Sequence, residues 1–236
     1  MADKVVLLGQ KIDRVTLDDV LRFIDKQVKQ KKSTAIFAMN LHVLVELQKN
    51  ILFEKVHQGA DLVFADGVIV LWLSKLYGHP LKKRVSGTDL VEKLLHSKQK
   101  VFLLGSTENE LHKISEKFPK QVAGIYAPPF VSVWSAKEKE KIRKLIQKSA
   151  AKIVLVGVGV PKQEMWITEE LSKTGAIVGI GVGSAFDILS GKTPRAPWLL
   201  KDHGFEWLWR VMLEPGRLWK RYLVDGVEII KLMVKK

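Results

Sequence analysis

Short apolar runs alternate with amphipathic stretches over residues 1–191. The runs are almost continuously apolar, which is typical of parallel strands that are covered on both faces. They are Thr34–Met39, Asp61–Phe64, Lys100–Leu104, Val122–Tyr126, Lys152–Val156 and Ala176–Ile180. The stretches between them follow the helical period. This alternation predicts an α/β fold with a Rossmann-like, mainly parallel sheet and helices on both faces.

Polar residues mark where several of the helices begin. Thr16 and Asp19 have the spacing of a capping box, and Ser135 and Glu138 repeat it. The first helix places four apolar residues on one face: Val20, Leu21, Ile24 and Val28. Further helices are predicted from about Leu41 to Val56, from Gly67 to Tyr77, from Asp89 to Ser97 and from Glu108 onward. Residues 5–12 predict a small hairpin at the start of the chain.

The composition changes near residue 192, where we place the end of the α/β domain. Residues 192–236 hold four of the seven tryptophans and ten of the 39 Lys and Arg residues. Three arginines, spaced seven and four apart, would share one helix face, although the Pro-Gly pair at 215–216 must bend or break that helix. They are Arg210, Arg217 and Arg221. We therefore expect a basic, Trp-rich helical appendage.

Tryptophan and arginine together suggest what this appendage meets. Indole is apolar with one N–H group, so it favours a place between a dry and a wet environment. Arginine keeps its charge and its planar fork grips phosphate. A phospholipid surface or a lipid-linked diphosphate has both properties, so we expect the appendage to dock on a membrane and close over an acceptor. A helical hairpin packed on its own domain or on another subunit is the alternative.

Composition and charge narrow the class of protein. The chain has 236 residues, of which 47% are apolar, and a net charge of +14. It contains no cysteine, which excludes disulfides and thiolate chemistry and argues against zinc. The longest apolar stretch, Gly175–Phe186, is shorter than the roughly 20 residues that span a bilayer, and no signal peptide is predicted. We expect a cytoplasmic protein, peripheral on the inner face of the cell membrane, whose charge attracts nucleic acid, anionic lipid or a nucleotide-like substrate.

Polar residues and glycines follow the carboxyl ends of the predicted strands. Open α/β sheets bind their ligands at these positions. Asp66 is the best candidate for chemistry, and an Asp-Gly turn residue is its plain alternative. Asn40 could equally be a helix cap, and Arg84 could be surface charge. The sequence has no G-x-G-x-x-G run, no P-loop and no D-x-D triplet, so a nucleotide diphosphate would have to be held by fixed positive charge instead of a metal.

Several motifs together resemble one family across nearly the whole chain. They are Asn40, Phe64–Val68, Arg84–Leu90, Val101–Gly105, Ala127–Phe130, Val156–Trp166, Gly181–Asp187, Arg195–Pro197 and Gly204–Arg210, followed by Glu214–Pro215 and Arg217–Tyr222. In this order they resemble the WecG/TagA/CpsF glycosyltransferases, which transfer a sugar from a UDP donor to a polyprenyl-diphosphate-linked acceptor. The Pro-Lys-Gln-Glu and Glu-Trp-Leu-x-Arg segments are the most specific.

The resemblance implies an inverting transfer without a metal or other cofactor. It gives Asp66 the role of general base, Asn40 and Gln163 that of holding sugar hydroxyls, and Arg84 a place near the acceptor or the diphosphate. The nucleotide side would be formed by Gly181, Gly183 and Asp187. The diphosphate would be gripped by Arg210, Arg217 and Arg221. The expected substrate-binding set is completed by Gly105, Lys162 and Arg195, which lie in the matching motifs.

One departure from the family leaves the donor sugar open. The family often has Thr two residues before the asparagine, where this chain has Ala38, so a hydroxyl contact is missing. N-acetylmannosamine and a GlcNAc-diphosphate-lipid acceptor are the default expectation, with UDP-glucose or a UDP-uronic acid as alternative donors. A nucleic-acid binder and a nicotinamide-dependent oxidoreductase are the rival classes. Assembly into a homo-oligomer is left open.

Overall fold

A six-stranded parallel sheet lies at the centre of the computed structural model, which describes residues 3–198, 200 and 206–234, except for the side chains of Arg217 and Val234. Two short strands, β1 (Lys4–Leu7) and β2 (Gln10–Asp13), form the predicted hairpin. The central strands are β3 (Thr34–Met39), β4 (Leu62–Ala65), β5 (Val101–Gly105), β6 (Val122–Tyr126), β7 (Ile153–Gly157) and β8 (Val178–Gly181). Their order in the sheet is β4-β3-β8-β7-β5-β6.

Helices connect these strands, and the α/β fold that the sequence predicts is confirmed. Before β5 they are α1 (Leu17–Gln30), α2 (Leu41–Lys49), α3 (Ile51–Gln58), α4 (Val68–Leu76) and α5 (Gly87–Leu95). After β5 they are α6 (Glu108–Lys117), α7 (Ala136–Ser149), α8 (Lys162–Glu170) and α9 (Ala185–Leu189), and a 3-10 turn follows α8 at Leu171–Lys173. The C-terminal helices are α10 (Glu206–Leu213) and α11 (Pro215–Val234).

Side-chain caps set several helix starts. The capping box between Thr16 and Asp19 is present at α1, and the Ser135 side chain accepts the Glu138 N–H at α7. The single helix predicted from about Leu41 to Val56 is wrong. The Asn50 side chain accepts the Phe53 N–H at 3.0 Å, which starts α3 as a separate helix.

The strands are apolar throughout because both faces of the sheet are covered. In β3, Ile36 and Ala38 pack in the cluster on one face, which also includes Ile24 of α1. Phe37 and Met39 point the other way and pack in two clusters on the opposite face. Since neighbouring side chains of a strand point to opposite faces, polar groups are confined to the strand ends. This places the chemistry of the chain at one edge of the sheet.

The C-terminal helices pack on the α/β domain. Ile229 of α11 is buried in the same cluster as residues of β3 and α2, and the Asp225 carboxylate lies 3.0 Å from the His42 imidazole of α2. The two helices are separated at Glu214, and Pro215 begins the second, as its missing N–H allows. Leu213 and Glu214, at the elbow between α10 and α11, line one cleft together with residues that follow the carboxyl ends of the strands. None of the helices in the described ranges combines the length and the apolar character needed to cross a membrane.

Asp13 connects the hairpin to the edge strand that leads to the functional site. Its buried carboxylate accepts the Val63 N–H of β4 at 2.8 Å. We expect Asp13→Ala to lower the free energy of unfolding by about 1–3 kcal/mol, because it leaves that N–H without an acceptor. Asp13→Asn keeps an acceptor oxygen and should lose less. Urea denaturation measures both values, and equal losses in the two variants would contradict this role.

Candidate active site

A cleft of about 1370 Å³ runs along the carboxyl ends of the six parallel strands. Each strand contributes residues at its end, and strands lie about 4.8 Å apart, so the row of six is roughly 24 Å wide. The contributing residues, from one edge to the other, are Asp66 after β4, Asn40 after β3, Gly181–Gly183 at β8, Gly157 at β7, Gly105 at β5 and Pro128 after β6. Such a cleft is long enough for an extended ligand such as a nucleotide sugar.

Asp66 lies at the β4 end of the cleft in an environment that disfavours its charge. Its N–H donates to the Met39 carbonyl at 2.8 Å, and Gly67, with φ of 146°, turns the chain into α4. Burial raises the pKa of the Asp66 carboxyl to about 6. The nearby Arg84 guanidinium and the hydrogen bond from the Gly87 N–H, at the start of α5, lower the pKa but do not cancel the effect of burial. A carboxyl with this pKa is ionised near neutral pH and can still accept a proton.

Arg84 approaches Asp66 from the segment between α4 and α5. The Val85 N–H donates to the Ala65 carbonyl at 2.8 Å, which holds this segment along the end of β4. The Arg84 guanidinium donates from Nη2 to Oε2 of Glu206 in α10, also at 2.8 Å, and both side chains are largely buried. Arg84 therefore belongs to the site and is not ordinary surface charge.

Two arginines of the C-terminal helices line the cleft without a carboxylate partner among the described residues. Arg210 of α10 and Arg221 of α11 both border it, and the Nε of each is buried with no hydrogen-bond partner in that part of the chain. Trp207 and Tyr222 line the same wall, with ring centroids 5.4 Å apart. A guanidinium group that has no partner inside a cleft is well suited to bind an anion.

Asn40 is both a helix cap and a cleft residue. Its Oδ1 accepts the Val43 N–H at 3.0 Å, which caps α2, and its side chain lies beside Gly67. The cap uses the oxygen only, so the two N–H groups of the amide remain as donors for a ligand. Ala38, two residues earlier on β3, also lines the cleft and offers no polar group to a ligand.

Gln163 is held by hydrogen bonds on both ends of its amide. Its Oε1 accepts the Gly183 N–H at 3.2 Å, and its Nε2 donates to Oε1 of Glu164 at 2.7 Å. Glu164 is fully buried, and burial raises the pKa of its carboxyl to about 7. A Cβ on Gly181 would lie 2.8 Å from the Gln163 Nε2, so glycine at that position makes room for the amide. These contacts fix the floor of the cleft at β8.

The other half of the cleft holds Asp187 in a polar cluster. Lys192 lies 2.8 Å from the Glu110 carboxylate and 3.6 Å from that of Asp187, and the Ser106 hydroxyl contacts both acids. Burial raises the pKa of Glu110, but hydrogen bonds from Lys192, Ser106 and Thr107 outweigh it and lower the pKa to about 2. Glu110 is therefore ionised at neutral pH and pairs with the Lys192 ammonium group.

The packing of the sheet requires a glycine at position 105, which also lines the cleft. Its φ is 124°, and a Cβ there would collide with the backbone of Gly157 on the neighbouring strand. Gly183 also has a positive φ, of 54°, but its Cβ position faces open space. Gly105 therefore permits two strand ends to approach each other, whereas Gly183 shapes a turn whose N–H binds Gln163.

Lys162 anchors a loop at the rim of the cleft. Its Nζ donates to the Val131 carbonyl at 2.5 Å and lies 4.0 Å from the centroid of the Trp134 ring. Burial lowers the pKa of this ammonium group. The loop carries Phe130, whose side chain is fully exposed at the rim. Lys162 lines the cleft, but its described contacts hold the loop in place.

The structure brings most of the predicted site residues into one cleft, with two exceptions. Arg195 forms ion pairs with Asp89 and Glu92 of α5 and is not among the residues that line the cleft. The side chain of Arg217 lies outside the described part of the structure. No group of three His, Cys, Asp or Glu side chains that could hold a metal ion occurs within the described ranges.

Sequence reasoning missed several residues that line the cleft. They are Ser106, Glu110, Lys192, Glu206, Trp207 and Tyr222. The helix predicted from Glu108 onward is α6, and Thr107 and Glu110 form a capping box at its start, but that signal concerns the helix and not a ligand. Glu206 and Trp207 lie in the specific Glu-Trp-Leu-x-Arg segment, but the motif assigned neither a role, because their contacts depend on how the C-terminal helices pack.

Comparisons with known proteins show which family the sequence resembles. The chain is 30% identical over 198 residues to an N-acetylglucosaminyldiphosphoundecaprenol N-acetyl-beta-D-mannosaminyltransferase of Bacillus spizizenii, covering 82% of this chain and 76% of the relative. It is 28% identical over 218 residues to a protein of the same name from Bacillus subtilis, covering 88% of this chain and 82% of that one. The family model described as "Glycosyl transferase WecG/TagA/CpsF family" matches residues 5–236. The chain therefore belongs to the WecG/TagA/CpsF family of glycosyltransferases.

Proposed function

We propose that this glycosyltransferase moves N-acetylmannosamine from a UDP donor to a hydroxyl of a polyprenyl-diphosphate-linked GlcNAc acceptor, with inversion and without a metal. The observation that carries the proposal is a cleft, long enough for both substrates, that holds the Asp66 carboxylate together with Arg210 and Arg221, whose Nε atoms have no hydrogen-bond partner among the described residues. The names of the two Bacillus relatives support the acceptor and the transferred sugar. The product would serve cell-wall or surface polysaccharide synthesis.

Asp66 would act as the general base. It takes the proton of the acceptor hydroxyl while that oxygen forms a bond to the anomeric carbon of the donor. The bond from the anomeric carbon to the UDP oxygen breaks at the same time, and UDP leaves with the electron pair. Attack from the face opposite to UDP inverts the anomeric centre. The Asn40 amide, which lies beside the Asp66-Gly67 turn, would hold a sugar hydroxyl during this step.

Fixed positive charge would stabilise the leaving diphosphate. Arg210 and Arg221 line the cleft, and neither forms an ion pair within the described part of the chain, so their guanidinium groups are available to phosphate oxygens. Such groups cost no reorganisation when charge develops on the leaving oxygen. Gly181, Gly183 and Asp187 would hold the nucleotide on the β8 and β5 side, two to four strands away from Asp66.

The donor sugar is the least constrained part of the proposal. Ala38 lines the cleft next to Asn40 and contributes only a methyl group. A methyl group does not select among sugars by hydrogen bonding, so UDP-glucose and UDP-uronic acids are the competing donors. An assay that offers each donor separately with the same acceptor would discriminate among them.

The outer face of α11 suggests how the enzyme reaches a lipid-linked acceptor. Four apolar side chains repeat at helical spacing on this face and are half-exposed: Trp219, Leu223, Val227 and Ile230. Lys220 and Lys231 lie beside them on the same helix. An anionic membrane would contribute about 1 kcal/mol for each basic residue near its surface, in addition to the burial of these side chains. We therefore propose peripheral docking through α11.

The role of Asp66 predicts a selective loss of the chemical step. Asp66→Asn should lose about 10²–10⁴-fold in turnover, which is the usual value of general-base assistance, and should still bind UDP. Its stability at pH 7 should not fall, because burial raises the pKa of the native carboxyl and its charge is therefore unfavourable in the folded state. Turnover with purified donor and acceptor, together with a UDP titration, measures both effects. Turnover close to that of the unmodified enzyme would remove Asp66 from this role.

The pKa of Asp66 also predicts the pH dependence. The active form is the carboxylate, so kcat/KM should be constant above about pH 7 and fall about tenfold per pH unit well below pH 6. The pKa of an ordinary aspartate would place this decline near pH 4 instead. A pH profile of kcat/KM, restricted to the range in which the fold is intact, tests the position of the acidic limb.

Membrane docking can be tested on the exposed face of α11. Trp219→Gln combined with Leu223→Gln should weaken binding to phosphatidylglycerol vesicles by about tenfold or more, since each lost contact removes apolar burial. A matched control changes two exposed apolar residues of α3, Ile51→Gln and Leu52→Gln, and should bind vesicles normally. Vesicle flotation at two salt concentrations gives the comparison. Equal binding by the two double variants would contradict docking through this face.

A further inference from the structure

Glu206 places a carboxylate next to the proposed general base. It belongs to the first turn of α10, yet it bonds to Arg84, which is 122 positions away in the chain. The distance is 2.8 Å, and the two side chains are 18% and 13% exposed, so water competes little for the pair. The contact joins the C-terminal helices to the segment that also carries Gly87, whose N–H contacts Asp66.

A second carboxylate at this position disfavours the ionised form of Asp66 and makes it more basic. The Glu206 charge raises the pKa of Asp66, whereas Arg84 and Arg210 lower it. Replacing a buried ion pair by apolar groups of similar size is often neutral or stabilising, so packing α10 on the domain does not require a charged pair. A glutamate at this place is therefore better explained by what it does to Arg84 and Asp66 than by stability alone.

We propose that Glu206 is a positioning residue, which holds the Arg84 guanidinium near Asp66. The contact thereby couples the packing of α10 on the α/β domain to the charge around the base. The ion pair uses Nη2 of Arg84, and the other guanidinium nitrogens carry further N–H donors for a substrate diphosphate or hydroxyl. When α10 is packed on the domain, the negative charge of Glu206 offsets the positive charge of Arg84. Asp66 then keeps enough basicity to take a proton. This role rests on the proposed function of the same cleft.

The groups that face Asp66 come from three parts of the chain. Arg84 and the Gly87 N–H belong to the segment before α5 and to its first residue, and Glu206 and Arg210 belong to α10. If the Glu206 charge is removed, both arginines act on Asp66 without compensation. The carboxyl then loses basicity, and Arg84 loses the contact that orients it.

Glu206→Gln tests the proposal, because it keeps the size of the side chain and removes the charge. We expect the acidic limb of kcat/KM to move to lower pH and kcat/KM at neutral pH to fall about tenfold, as the orientation of Arg84 is lost. Backbone hydrogen exchange over residues 206–213 should become about tenfold faster or more, because removing one charge of a largely buried pair leaves the other charge without its partner. Glu169→Gln is the matched control, since Glu169 forms a surface pair with Lys139 at 2.6 Å.

A double-variant cycle separates pairing from an effect on α10 alone. Glu206 also lies at the positive end of the helix dipole, and this contribution would be lost independently of Arg84. If the pair is responsible, Glu206→Gln should have little further effect on exchange when Arg84→Gln is already present. Additive effects would overturn the proposal.

Two other results would also overturn it. Higher turnover of Glu206→Gln would mean that the pair restrains the enzyme, and an unmoved acidic limb with unchanged exchange would leave Glu206 no role at the site. The exchange measurement does not depend on sugar transfer. If the unmodified protein transferred no sugar, the proposed function would fail, while exchange in the four members of the cycle would still decide whether Glu206 couples α10 to Arg84.

Discussion

The covering of the parallel sheet on both faces is the constraint on which the rest of the structure depends. Side chains such as Ile36 and Phe37, adjacent in β3, must both be apolar because they enter different buried clusters. Charged and amide groups are thereby restricted to the ends of the strands, and parallel strands bring these ends to the same edge. Asp66 and Asn40 are neighbours because β4 and β3 are paired, although 25 other residues separate them in the chain.

The C-terminal helices complete the cleft that the sheet begins. The α/β domain supplies Asp66, Arg84 and the glycine turns, and α10 and α11 supply the two guanidinium groups without a described ion-pair partner, Arg210 and Arg221. Two contacts hold the C-terminal helices on the α/β domain. Glu206 of α10 bonds to Arg84, and Asp225 of α11 contacts His42. A reaction that needs the base and the diphosphate contacts together therefore needs the appendage in place.

The sequence predicted the sheet well because hydrophobic periodicity is local. The run Val122–Tyr126 is the observed β6, and Thr16 begins α1 as its capping box indicates. The break at Asn50 was missed, because an apolar period continues across it and the cap acts through a single hydrogen bond. Long-range contacts could not be predicted: the Arg84–Glu206 pair and the contacts of Arg195 with α5 depend on how distant segments pack. The resemblance to the family indicated which residues matter, whereas their partners became evident only in three dimensions.

We infer that the cleft binds a UDP-linked sugar and that arginines of the C-terminal helices bind its diphosphate. Calorimetric titration of the full chain with UDP, NAD and a single-stranded oligonucleotide, repeated with Arg221→Gln, tests it most directly. We expect saturable binding of UDP alone, and weaker binding of UDP by Arg221→Gln, since one charge-assisted contact to phosphate contributes about 1.5–3 kcal/mol. Binding of NAD or the oligonucleotide in place of UDP, or equal affinity of the two proteins for UDP, would contradict it.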